Sequence, residues 1–92
     1  MTKNELKNEF MELWSLTNNV IDNIRDTDTY TKENCYYNHL NDKKFSELYG
    51  LGHNKGWRLN TIKKSEIEIK IIEITEILKK YNDILTQQLE KM

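Results

Sequence analysis

The chain has 92 residues, a net charge of −1, 37% hydrophobic residues and 32% charged residues. That length supports one domain with little room for a deep cleft between lobes, and the composition is too apolar for a disordered chain. Proline and alanine are absent and glycine occurs three times, which excludes a proline-rich linker, a collagen-like repeat and a Gly/Ser tether.

The run from Thr2 to Glu12 is polar, so no secretory signal is expected, and no apolar stretch approaches the roughly 18–20 residues needed to cross a bilayer. The single Cys35 has no partner for an internal disulfide, which fits a reducing, cytoplasmic compartment. Lys, Asn and Ile supply 12, 11 and 10 residues. All three have AT-rich codons, whereas the missing Ala and Pro have GC-rich ones. An AT-rich bacterium, its phage or its plasmid is the expected source, and a chain this small from such a source is expected to be a regulator or inhibitor rather than an enzyme.

The first predicted element is a helix over about residues 3–25. Thr2 and Glu5 have the spacing of a capping box. Leu6, Phe10, Leu13, Thr17, Val20 and Ile24 follow in alternating steps of four and three, with Trp14 and Ile21 widening the seam. Asp26 to Lys32 reads as an exposed loop, and residues 33–40 are too short and mixed to classify. Asn41 or Asp42 is placed to cap a short helix through Phe45, Leu48 and Tyr49, with Gly50 closing it.

The last element is a helix over about 61–91, or from Ser65 if that residue caps it with Glu68. Ile67, Ile71, Ile74, Leu78, Tyr81 and Leu85 keep a four-three seam of the coiled-coil kind. A strand competes over 66–74, where isoleucines alternate with charged residues. A helix of some 30 residues is about 45 Å long, whereas a compact chain of this size has a radius of gyration near 12 Å. The six seam residues are therefore expected to face a second copy, making a mainly α-helical homo-oligomer in which two long amphipathic helices bracket a short helix and polar loops.

Charge is uneven. Between Lys43 and Lys64 six basic residues oppose one acid, giving that segment +5 and the remainder −6. The same region holds Phe45, Tyr49, Trp57 and all three glycines, and Tyr36 and Tyr37 precede it, so Tyr36, Tyr37, Lys43, Lys44, Tyr49, His53, Asn54, Lys55, Trp57 and Arg58 are the candidate partner-binding residues. Three readings of them remain open. Trp, Tyr and Arg beside a long amphipathic helix suit stoichiometric binding of a protein partner. Ser46, Gly50, Leu51 and Leu59 fall at the spacings of a degenerate helix-turn-helix over 44–62, which would turn His53, Asn54, Lys55 and Arg58 toward DNA. Gly56 falls where that motif needs an apolar side chain, and Gly52 weakens its second helix. Finally, Trp57 and the tyrosines could stack a base while Lys43, Lys44, Lys55 and Arg58 neutralise phosphate, as in a protein that sequesters a nucleotide signal.

Catalysis finds no support. Cys35 and His39 are four apart but lack an orienting acid, and Cys35, His39 and His53 lack a fourth zinc ligand. No catalytic residue, metal or cofactor is expected.

Overall fold

The computed structural model describes residues 1–27 and 43–90. It is mainly α-helical: helix α1 (Lys3–Thr27), helix α2 (Lys43–Gly56), a 3-10 helix (Trp57–Thr61) and helix α3 (Lys64–Glu90). Two long amphipathic helices thus bracket a short one, as the periodicity predicts. Tyr36, Tyr37, Cys35, His39, the loop beyond Thr27 and the expected Asn41 or Asp42 cap lie outside the described residues. None of the described helices is long and apolar enough to cross a membrane.

The capping box at the start of α1 is reciprocal. Glu5 N donates to Thr2 Oγ1 (3.2 Å), and Thr2 N donates to Glu5 Oε1 (3.1 Å). The Thr2 backbone N–H contributes most to holding the Glu5 carboxyl below its ordinary value, and the Thr2 side chain adds to it as a hydrogen-bonding partner of the carboxyl. At α3 the expected cap at Ser65 is replaced by Lys63, whose carbonyl accepts from both Glu66 N and Ile67 N (3.0 and 3.1 Å). The segment 66–74 is helical throughout. A strand would bury Ile67, Ile69 and Ile71 on one face; instead Ile67 is buried and Ile69 is 54% exposed.

Lys3 Nζ donates to the Asn60 carbonyl (3.0 Å) and Lys7 Nζ to Asn60 Oδ1 (3.2 Å). The start of α1 is thereby tied to the residues that lead into α3, so the two long helices begin at the same end and run parallel. Their lengths match, at about 37 and 40 Å, and the whole body measures 43 × 21 × 18 Å. Helix α2 runs back between these ends on one side of the pair, antiparallel to both.

This arrangement corrects the expected use of the α3 seam. Ile67, Ile74 and Tyr81 are buried within the chain, together with Leu6, Phe10, Ile21 and Ile24 of α1 and Phe45 and Leu48 of α2. Ile71, Leu78 and Leu85 are half-buried in the same body. A parallel partner of nearly equal length runs along the seam and buries Ile67, Ile74 and Tyr81 within the single chain. Thr17, the polar member of the α1 seam, is buried and satisfied by donating its hydroxyl to the Leu13 carbonyl (2.7 Å).

Helix α2 does not end at Gly50, as expected, but stays regular as far as Gly52. The reason lies in α1. The Trp14 indole lies directly on Gly52, in the space a Cβ would need, and its Nε1–H donates to the Tyr49 carbonyl (3.1 Å). A carbonyl of the final regular turn thus gains a side-chain donor from the neighbouring helix. Trp14 also stacks on Tyr49 (centroids 5.7 Å apart), and Phe45 joins Tyr49 to Tyr81 at 5.7 and 5.6 Å.

Two measurements test this account. Gly52→Ala forces the indole off α2, and overpacking outweighs the gain in helix propensity: a net loss of about 1–2 kcal/mol and a Tm lower by about 5–15 °C are expected. In a Trp14→Leu background the same substitution should cease to destabilise. For the capping box, a depressed folded pKa means its contribution is present above the ordinary glutamate value of about 4.3 and fades as pH falls through the folded value. In an NMR titration Glu5 should titrate below the ordinary glutamate value, and Thr2→Ala should move it up toward that value.

Candidate functional site

The connection from α2 to α3 departs from helical geometry in a defined way. His53 is extended at φ −64°, ψ 154°, which ends the regular helix. Asn54 and Lys55 then take left-handed conformations (φ 53° and 59°), and Gly56 continues them at φ 71°. Three successive left-handed residues form most of a left-handed turn, in which each non-glycine residue costs about 1–2 kcal/mol; asparagine tolerates it best. The 3-10 helix follows at once, and Thr61 Oγ1 closes it by donating to the Arg58 carbonyl (2.6 Å).

Packing holds the turn in place. Gly56 is buried, and a Cβ there would sit 2.6 Å from Met11 Sδ of α1 and 3.2 Å from Leu59 Cδ1. Both its backbone angle and its surroundings therefore require glycine. Leu59 is fully buried and anchors the 3-10 helix in the core. His53 packs edge-on against Tyr49 (4.4 Å) and against Trp14 (6.1 Å). An aromatic chain thus runs from the core at Tyr81 through Phe45 and Tyr49 to the surface at His53.

On this rigid base Trp57 stands 50% exposed. The Arg58 guanidinium lies beside it, 6.0 Å from the ring centroid, and folds back over Gly50, where a Cβ would meet Nη1 at 3.7 Å. His53, Asn54, Lys55, Trp57 and Arg58 are all exposed at this one end of the molecule. Tyr49 belongs to the site only as a support, since Trp14, Phe45 and His53 pack around its ring. Lys43 and Lys44 are exposed at the opposite end of α2, about 14 Å away along the helix axis. The basic segment seen in the sequence is therefore not one surface.

What the sequence hid is the contribution of distant lysines. Lys3 and Lys7, through Asn60, and Lys63 and Lys64, through the chain, come together at the end where α1 and α3 both begin. Lys64 lies close enough to Glu5 to favour its ionised form. No signal in the linear sequence places Lys3 and Lys7 here, because the parallel pairing is a tertiary fact.

The helix-turn-helix that the sequence offered as an alternative over 44–62 is not formed. The position of its second helix is taken by the left-handed turn and a five-residue 3-10 helix, so His53, Asn54, Lys55 and Arg58 do not share one α-helical face. Gly52 and Gly56 explain the outcome, one as the landing place of Trp14 and the other as the left-handed residue against Met11. A base-stacking pocket gains little either, with Tyr49 committed to the aromatic chain. Open clefts lie elsewhere, one of about 310 Å³ between the starts of α1 and α3 and another along the outer face of α3. Among the described residues no group of three or more His, Cys, Asp or Glu side chains is arranged to hold a metal ion. No protein-family model matches the sequence, and no curated protein or solved structure shows a significant similarity to it.

If the left-handed turn is as strained as its angles imply, Lys55→Gly should raise stability by about 0.5–1 kcal/mol, the relief of strain exceeding the added unfolded-state entropy. Gly56→Ala should lower it by more than about 1 kcal/mol through both φ and the Met11 contact. Urea unfolding of the two variants, read as midpoint shifts at constant slope, checks both signs.

Proposed function

We propose that this chain is a small non-enzymatic regulator or inhibitor that acts by stoichiometric binding of a protein partner, with Trp57 and Arg58 as its anchors. The observation that carries the reading is Trp57, a large aromatic half-exposed on a turn that Gly56, Leu59 and Met11 hold rigid, with an arginine aligned beside it. Trp and Arg are the residue types that most often dominate protein interfaces, and a preorganised anchor loses little entropy on binding. Self-association belongs to the same proposal. It is supported by the apolar side chains the long helices leave exposed, Leu16 on α1 and Ile69, Ile72 and Leu89 on α3.

A second reading is favoured by the basic end of the molecule. Lys3, Lys7, Lys63 and Lys64 gather where two parallel helices present the positive ends of their dipoles. A nucleic-acid backbone suits that field, contacted through phosphates rather than through a recognition helix.

One experiment separates them. A photo-crosslinking amino acid at Lys63, beside the turn, should capture one discrete protein in the source cells, while the same residue at Glu76 on the outer face of α3 should not. Trp57→Ala and Arg58→Ala should each weaken the purified complex by at least about 2 kcal/mol. Equal capture at both positions, or affinity unmoved by either alanine, refutes the protein-partner reading. Binding to nucleic acid that falls steeply with salt puts the phosphate reading in its place.

A further inference from the structure

The 3-10 helix Trp57–Thr61 has three faces, because side chains three apart in such a helix eclipse one another. Leu59 takes the inward face and is fully buried. Trp57 and Asn60 share a second face, with Asn60 about 6 Å further along the axis, and Arg58 and Thr61 share the third. Asn60 draws two cations of α1 to this short helix. Its carbonyl accepts from Lys3 Nζ and its Oδ1 from Lys7 Nζ, at 3.0 and 3.2 Å. Both acceptors are neutral, so the lysine charges are left uncompensated, and each ammonium keeps further donors. The Arg58 guanidinium, 6.0 Å from the Trp57 ring centroid, meets a π-face there and no anion. Among the described residues Arg58, Lys3 and Lys7 have no carboxylate partner. Residues 48–65 contain no acid, and Glu47, just before them, is held by Lys70 at 3.0 Å.

We propose that this surface takes a short acidic segment of the protein partner, in which carboxylates meet Arg58, Lys7 and Lys3 while an apolar side chain covers Trp57. The proposal rests on the protein-partner reading above and names the chemistry of that partner. Three properties argue for it. Uncompensated cations attract an anion, and the planar fork of an arginine matches a carboxylate through two parallel N–H···O bonds. A half-exposed indole gains from an apolar neighbour, which a simple anion does not bring.

The third property is the shortness of the surface. Outside residues 43–64 the chain carries −6, so a long polyanion that follows these cations runs on into acidic surroundings. It also finds little to stack on, since the Tyr49 ring is enclosed by Trp14, Phe45 and His53. A peptide segment with a few carboxylates and one apolar side chain spans the turn and stops there.

Selection from a random-peptide library against the full chain reads this chemistry directly. The selected peptides are expected to share aspartate or glutamate beside a leucine or an aromatic residue. For one such synthetic peptide, followed by fluorescence anisotropy, replacing its acids by the matching amides should weaken binding about tenfold or more. Arg58→Gln should weaken it about tenfold and Lys7→Gln about threefold, with helical circular dichroism unchanged. Lys79→Gln, exposed on the outer face of α3, should change nothing. Arg58→Glu should bind a version of the peptide whose acids are lysines better than the natural chain does, which a merely structural role for Arg58 does not produce. Peptides that need Trp57 but carry no acids, or that ignore Arg58→Gln and Lys7→Gln, overturn the acidic segment and leave the protein-partner reading standing. Failure to select any peptide that needs Trp57 also overturns it, and crosslinking at Lys63 then decides the protein-partner reading by itself. Single-stranded oligothymidylate that binds more tightly than every selected peptide, and is lost with Arg58→Gln, assigns these cations to phosphate and overturns both.

Discussion

The Trp14 indole occupies the space that any side chain at position 52 would claim, and its N–H ends on the Tyr49 carbonyl. That contact sets the distance between α1 and α2, and much else is built on it. The ring carries Tyr49 and His53 on its face and edge, so the aromatic chain to Phe45 and Tyr81 forms only when α2 is this close. The regular helix ends at His53, one residue after Gly52, and the left-handed turn follows. Its strain is sustained because Gly56 under Met11 and Leu59 in the core leave the backbone no other path.

The same contact decides which surfaces remain. Because Trp14 and Met11 draw α2 to one side of the α1–α3 pair, the opposite side keeps Leu16, Ile72 and Leu89 exposed. Because α2 ends in a turn and not in a long loop, Trp57 and Arg58 emerge on a support that is already ordered. The two surfaces lie on different sides of one body.

The long helices were legible in the sequence because their periodicity is local. The four-three seams of Leu6 to Ile24 and Ile67 to Leu85, and the Thr2–Glu5 cap, need no knowledge of neighbours. Their relative direction was not legible, and with it went the assignment of the α3 seam, since Ile67 and Tyr81 look the same whether they face α1 or another chain. The basic residues misled for a related reason. Counting along the chain joins Lys43 to Lys64, but a helix intervenes between Lys44 and Lys55, while Lys3 and Lys7 arrive from the far end of the sequence. Each glycine was visible, and its task was not. Gly50 looked like a helix stop and is a helical residue beneath Arg58; Gly56 looked like a defect in a recognition helix and is the residue that makes the turn.

The parallel pairing of α1 with α3 also fixes the order of events at the ribosome. Lys3 meets Asn60 across 57 residues, and the partner of the rest of α1 is the final third of the chain. At about 5–20 residues per second, α1 emerges several seconds before α3 is complete. Throughout that interval α3, which meets α1 along its length, is missing, and early contacts made by Phe10, Ile21 and Ile24 are incomplete. Closing so long a loop before the main interface forms is slow for a helical chain of this size. The nascent protein therefore spends its most vulnerable period as an uncovered amphipathic helix, the form in which chaperones and wrong partners compete for it.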